Sequence, residues 1–222
     1  MPLAIFDLDN TLLGGDSDYL WGIYLADRGI VDREEYERLN ERFYRDYREG
    51  RLDIFQFLRF SLRPLRDNRR QDLLRWRSDF LAEKIEPIIL PRARELVERH
   101  RSAGDTLLIV TATNEFVTAP IAQRFGVPNL IATIPEQIEG RYTGDVLGIP
   151  SFQAGKVKRL EEWLVRSRRD LTGSTFYSDS HNDIPLLERV DHPVAVDPDA
   201  ELARHATGHG WSIISLRGSD AD

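Results

Sequence analysis

The sequence predicts an α/β fold, a doubly wound parallel sheet interrupted after its first strand by an all-helical cap. The short apolar run Leu3-Ala4-Ile5-Phe6 is followed at once by polar turn residues, the pattern of a buried parallel strand that ends abruptly. From about residue 16 to 88 apolar residues recur only at helical spacing, as in Leu73, Leu74, Trp76, Phe80 and Leu81. From about residue 90 onward strand-like and helix-like segments alternate, as in successive βα units with helices on both faces of a parallel sheet.

In order, the first strand precedes helices expected from Tyr19 to Arg28, Arg33 to Glu49, Ile54 to Leu62 and Arg70 to Ile85. A helix from Ala93 to Ala103 leads through Gly104 to a strand from Thr106 to Val110, a helix beginning near Asn114 and a short strand from Leu130 to Thr133. Glu139-Gly140-Arg141-Tyr142-Thr143-Gly144 reads as a polar, glycine-marked excursion. A helix from Lys156 to Ser167, a strand from Ser174 to Tyr177, a short helix around Ile184 to Glu188, a strand from Pro193 to Val196, a helix from Pro198 and a strand from Ser212 to Leu216 complete the chain. This divides it into an α/β core, 1–15 and 89–222, and a helical cap, 16–88. An insertion there would hang over the carboxyl edge of the sheet, the usual place for a lid; two independently packed units are the alternative.

Composition narrows the function classes. At 222 residues, 41% hydrophobic and 30% charged, the chain can bury one substantial core plus an insertion. With no cysteine, any metal must be held by oxygen or by one of the five histidines. No segment approaches the roughly 20 apolar residues needed to span a bilayer, and no secretory leader is evident, so a cytoplasmic protein without membrane association is expected. A net charge of -7 argues against broad nucleic-acid binding but leaves a small anionic substrate open. Oligomeric state stays open.

Chemistry concentrates at four stations. Asp7-Leu8-Asp9-Asn10-Thr11 follows the first strand, and period-two geometry points Asp7 and Asp9 the same way, where a backbone carbonyl can join them as a hard oxygen ligand. Thr111, Ala112, Thr113 and Asn114 lie between a strand and a helix start, where a hydroxyl and free N–H groups suit phosphate; helix capping alone is the competing role for Thr113 or Asn114. Lys156 follows Gly155 at a helix start, where the macrodipole disfavours a cation, so it is either a solvated lysine or one with another task. Ser178-Asp179-Ser180-His181-Asn182-Asp183 places two more carboxylates at a strand-to-helix junction.

In that order on an α/β frame, these residues resemble the haloacid dehalogenase superfamily of phosphohydrolases over nearly the whole chain. Asp7-Leu8-Asp9-Asn10-Thr11 is close to that family's Asp-x-Asp-x-Thr, and Asp179-Ser180-His181-Asn182-Asp183 to its fourth motif. The helical insert resembles the cap of the phosphoserine phosphatase-like branch, on a Rossmann-like core. The resemblance implies Asp7 as nucleophile, forming an aspartyl-phosphate, and Asp9 as general acid and base. It implies Mg²⁺, or Mn²⁺, held by Asp7, the Asp9 carbonyl and Asp179, and phosphate held by Thr111, Ala112, Lys156 and Asn182, with Asp183 orienting Lys156 or a metal-bound water. A dehalogenase expels halide without a proton, so Asp9 favours phosphatase.

Within the cap, Asp16 resembles the acidic position that meets the substrate amine in phosphoserine phosphatases; a helix N-cap is its competing role. Ser61 falls where those enzymes carry the arginine that grips the serine carboxylate, with Arg59 and Arg63 as possible substitutes. An amine without a carboxylate fits better, and histidinol phosphate is such a metabolite, with phosphoserine the alternative. Trp21, Tyr24, Phe55, Phe57 and Phe60 are either pocket lining for a flat ring or core. The arginines from Arg59 to Arg77 are either a solvated face or a steering surface. The rivals from another class are a phospho-accepting signalling module and a phosphate-binding scaffold; neither explains the full order of motifs.

Overall fold

The first strand, β1 (Leu3–Phe6), is buried at every position, as expected of a strand with neighbours on both edges and helices on both faces. The computed structural model describes residues 1–218. The other strands are β2 (Thr106–Asn114), β3 (Asn129–Thr133), β4 (Pro135–Ile138), β5 (Arg141–Val146), β6 (Thr175–Ser178), β7 (His192–Val196) and β8 (Ser212–Ile214). Six form one sheet in the order β3-β2-β1-β6-β7-β8, every pair parallel, and β4 and β5 form an antiparallel hairpin. The fold is thus a doubly wound α/β sheet with a helical insertion after β1.

The insertion runs through α1 (Ser17–Asp27), α2 (Arg33–Arg48), α3 (Ile54–Ser61), α4 (Arg63–Asp67) and α5 (Arg70–Phe80), the last continuing into a π-helical turn at Leu81–Ile85. The helices that follow are α6 (Pro91–Ser102), α7 (Glu115–Arg124), α8 (Ala154–Ser167), α9 (Ile184–Leu187) and α10 (Ala200–His209). Aspartates start three insertion helices: Asp16, Asp32 and Asp53 each accept main-chain N–H bonds from the first turn of α1, α2 and α3, stabilising each by about 1 kcal/mol.

Alternation along the strands divides the core. Ala4, Phe6, Leu107 and Ile109 face α1, α5, α6 and α7, and Leu3, Ile5, Leu108 and Val110 face α8, α9 and α10. Trp21, Tyr24, Leu58, Leu73 and Phe80 of the insertion belong to the first of these clusters, so the insertion shares the core of the sheet rather than forming an independent unit. Only Tyr36, Phe43 and Phe60 make a separate small cluster within it. The segments leading in and out run side by side, with Leu13 paired to Ile89 and Gly14 N donating to Ile88 O at 2.7 Å.

Besides the short α4, which no expected helix covers, two elements differ from the sequence expectation for local reasons. The polar excursion is a hairpin whose two turn residues, Glu139 and Gly140, both have positive φ, 49° and 77°; a glutamate there masks a turn usually marked by Asn or Asp. β2 continues past Val110 to Asn114, because the strand resumes pairing with β3 after a register shift, Asn114 opposite Thr133.

Candidate active site

β1 lies where the strand order reverses, with β2 on one side and β6 on the other, so a crevice opens at its carboxyl end. Asp7 occupies that point, its N–H bonded to Tyr177 O at 2.9 Å and its side chain buried. Lys156, in the first turn of α8, reaches across with Nζ 2.8 Å from Asp7 Oδ1 and 2.8 Å from Asp183 Oδ2. Ser178 Oγ also donates to Asp183 Oδ2, at 2.7 Å. Thr11 Oγ1 donates to Asp179 Oδ1 at 3.0 Å and lies 3.5 Å from Asp7 Oδ2, which leaves that Asp7 oxygen weakly engaged. On the opposite side Asp9 accepts bonds from Ser17 N and from Thr113 Oγ1, the latter at 2.8 Å. Asn10 adopts φ 58°, turning the chain sharply after the acidic pair, and Arg217 Nη2 fixes its carbonyl at 2.9 Å.

These carboxylates are short of positive charge. Burial pushes the Asp7 carboxyl up to about 7 against the pull of Lys156. Burial, and then the charge of Asp16, push Asp9 up to about 6. Burial and the charge of Asp7 raise Asp179 well above the ordinary carboxylate range. Burial works against the Lys156 ammonium, but the charges of Asp183 and Asp7 hold it above the usual lysine value. Among the described residues no three acidic or histidine side chains converge as a ready cation cage. A donor set of two carboxylates, Asp7 and Asp179, with one backbone carbonyl does not require one, and the uncompensated charge fits a hard divalent cation.

A narrow cavity, with about 60 Å³ of space open to water, lies above Asp7 and Asp9 toward the insertion. Its floor holds Asp7, Asp9, Thr111, Ala112, Thr113 and Lys156; its far wall holds Asp16, Asp18, Tyr44, Tyr47, Phe57 and Phe152.

The structure therefore gathers Asp7, Asp9, Thr111, Ala112, Lys156 and Asp16 around one space, with Asp179 and Asp183 reached through Thr11 and Lys156. Asp16 both lines the cavity and caps α1, its Oδ1 accepting from Asp18 N at 3.0 Å and Tyr19 N at 2.8 Å. Other expected residues lie elsewhere. Asn182 does not line the cavity: its amide donates to Tyr47 O at 3.2 Å and accepts from Gln153 Nε2 at 2.8 Å, tying the insertion to the core. Arg63 is held by Glu35 through two contacts of 3.1 Å, and Arg59 is exposed on α3; neither reaches the cavity wall. Of the five aromatics named from the sequence only Phe57 lines it: Trp21 and Tyr24 pack on Phe80, Phe60 lies in the small cluster with Tyr36 and Phe43, and Phe55 faces solvent. Sequence reasoning passed over Asp18, Tyr44 and Tyr47. Nothing in the sequence marks them: Tyr44 and Tyr47 stand three residues apart on an otherwise charged helix and Asp18 two residues after the Asp16 cap, spacings that exposed side chains share.

The profile of the haloacid dehalogenase-like hydrolases matches residues 4–188. A histidinol-phosphatase of Neisseria meningitidis serogroup C (strain 8013) is 48% identical over 219 residues, 97% of this chain and 99% of that protein. The crystal structure of a protein of unknown function from Bordetella pertussis Tohama I superposes with a TM-score of 0.92 at 45% identity, over 97% of this chain and 98% of that one. A phospho-aspartyl intermediate analogue of phosphoserine phosphatase superposes with a TM-score of 0.71 at 18% identity, over 97% and 93% of the two chains, which shows a shared fold. With the profile spanning most of its length and a full-length relative at 48% identity, the chain belongs to the haloacid dehalogenase-like hydrolases.

Proposed function

We propose that this hydrolase cleaves phosphomonoesters of a small cationic metabolite, with histidinol phosphate the favoured substrate, through an aspartyl-phosphate on Asp7. The observation that carries the reading is the pairing across one crevice of a buried Asp7 held by Lys156 with an Asp9 held by Ser17 and Thr113. Asp7 attacks phosphorus and the ester P–O bond breaks. Asp9, whose raised pKa of about 6 keeps a protonated fraction near neutrality, gives its proton to the departing alkoxide. Water then attacks the aspartyl-phosphate, Asp9 takes its proton, and Asp7 is regenerated with release of phosphate. Thr111, the main chain at Ala112 and Lys156, which line the cavity, would hold the transferring oxygens. Mg²⁺, bound by Asp7, Asp179 and the Asp9 carbonyl, would supply the positive charge that lets an anionic nucleophile approach an anionic phosphate.

Two features support the substrate class. Among the described residues no arginine lines the cavity, so a substrate carboxylate would lie unpaired beside Asp16 and Asp18. The 48% identical relative is a histidinol-phosphatase. Phosphate release should be measured with Mg²⁺ and with EDTA from histidinol phosphate, phosphoserine and other small esters, with Asp7→Asn as control. Metal-dependent release greatest from histidinol phosphate and lost in Asp7→Asn is expected. A preference for phosphoserine would overturn the substrate assignment, and folded protein that turns over no ester would favour a phosphate-binding module.

A further inference from the structure

Asp18, in the first turn of α1, is 9% exposed and faces the cavity. Its Oδ1 accepts a bond from Asn114 Nδ2 at 3.1 Å, and Asn114 is itself fixed because its Oδ1 caps α7 through Val117 N at 3.2 Å. The carboxylate is thus held in place from the core side of the crevice. Among the described residues no lysine, arginine or histidine lies within ion-pair distance of it, and its nearest charged neighbours, Asp16 and Asp9, are both acids. Those two acids are differently committed. Asp9 is bonded through both oxygens to Ser17 N and Thr113 Oγ1, and Asp16 spends Oδ1 on two N–H groups of α1. Lys156, the only cation lining the cavity among the described residues, is tied to Asp7 and Asp183 at its floor. Asp18 is therefore a positioned carboxylate facing a ligand space without a counter-charge, and Tyr44, Tyr47, Phe57 and Phe152 line the same space with flat apolar surface.

We propose that Asp18, positioned by Asn114, is the specificity-determining residue of the cavity and takes the cationic nitrogen of the substrate, an amine or imidazolium, as its charge partner. A buried carboxylate is costly unless paired, so a ligand that carries its own cation is favoured over an isosteric neutral one. A carboxylate on the ligand would meet repulsion from the same group. Asp16, anchored as the cap of α1, then completes an acidic wall rather than acting as the sole reader of the amine.

The inference rests on the phosphoester-hydrolase reading, and its test separates the two. First, kcat/KM for histidinol phosphate and for glycerol phosphate, an ester without an amine, is measured in unmutated protein and Asp18→Asn, which preserves shape. The ratio of the two values should fall at least about tenfold, the scale of a lost charge-assisted contact. An unchanged ratio, with both esters affected equally, would mean that Asp18 only supports the fold and would overturn the proposal. Second, the binding of histidinol itself, which needs no turnover, is measured by calorimetry on the same two proteins, with thermal melts confirming that both are folded. At least tenfold weaker binding to Asp18→Asn is expected; equal binding, or none to either protein, overturns the proposal. Should unmutated protein hydrolyse no ester, the functional reading fails, and the calorimetry still decides the role of Asp18.

Discussion

Lys156 Nζ lies 2.8 Å from Asp7 Oδ1 and 2.8 Å from Asp183 Oδ2, and all three side chains are buried. Lys156→Met would strand two buried carboxylates, a change that costs about 3–5 kcal/mol in folding stability. It would also lower phosphate release by roughly 10²- to 10³-fold through loss of an oxyanion partner; urea unfolding and steady-state kinetics check both. Asp9→Asn removes the proton donor, and alkyl phosphate hydrolysis is expected to fall by about 10²- to 10⁴-fold. An aryl ester whose leaving group needs no proton should lose much less, a comparison that separates proton transfer from positioning. At this scale the floor of the site was legible in the sequence. Asp7 and Asp9 adjoin one strand end, and Lys156 and Asp183 stand beside strand or helix boundaries where side chains converge in any parallel sheet. Asp18, Tyr44 and Tyr47 were not legible, because an acid or tyrosine on a helix looks the same in sequence whether it faces solvent or a ligand.

Among the elements, α8 depends on a close approach that only glycine permits. A Cβ on Gly155 would lie 2.1 Å from the carbonyl oxygen of Pro150, so the start of α8 and the adjacent Lys156 must move if alanine is introduced. Gly155→Ala should destabilise by about 1–3 kcal/mol and lower kcat, since misplacement by about 1 Å can cost on the order of 100-fold; melts and kinetics on the variant test this. In the insertion, a Cβ on Gly22 would lie 2.6 Å from Tyr36 Cε1, where α1 packs on α2. The helices themselves were readable from apolar spacing, whereas α4 was not: at five residues it is too short to show a period. The β4–β5 hairpin escaped because Glu139 carries a positive φ that sequence rules assign to other residues.

For the whole molecule, the uncompensated acids link stability to pH and to metal. Burial raises Asp7 to about 7 and Asp9 to about 6, above the value near 4 of an unfolded carboxylate. Groups raised in the folded state contribute stability that is fully present below about pH 4 and is lost as pH rises through about 6 to 7. In EDTA the melting temperature should therefore fall between pH 5 and pH 8. Mg²⁺ should raise it more at pH 8 than at pH 5, because cation binding favours the ionised carboxylates of the folded state. An equal rise at both values would contradict that linkage. The fold at this scale was legible because alternating βα segments leave few topologies. The sharing of one core between sheet and insertion was not, since helical spacing does not reveal which partner buries the apolar face.

The most direct test of the central claim is rapid acid quenching of the enzyme during turnover of histidinol phosphate, followed by peptide mass spectrometry. The account predicts an acid-stable, alkali-labile phosphoryl group on the peptide carrying Asp7, absent from Asp7→Asn. Full turnover by active enzyme with no phosphorylated peptide at any quench time, together with inversion of configuration at phosphorus, would contradict it and indicate direct attack by water.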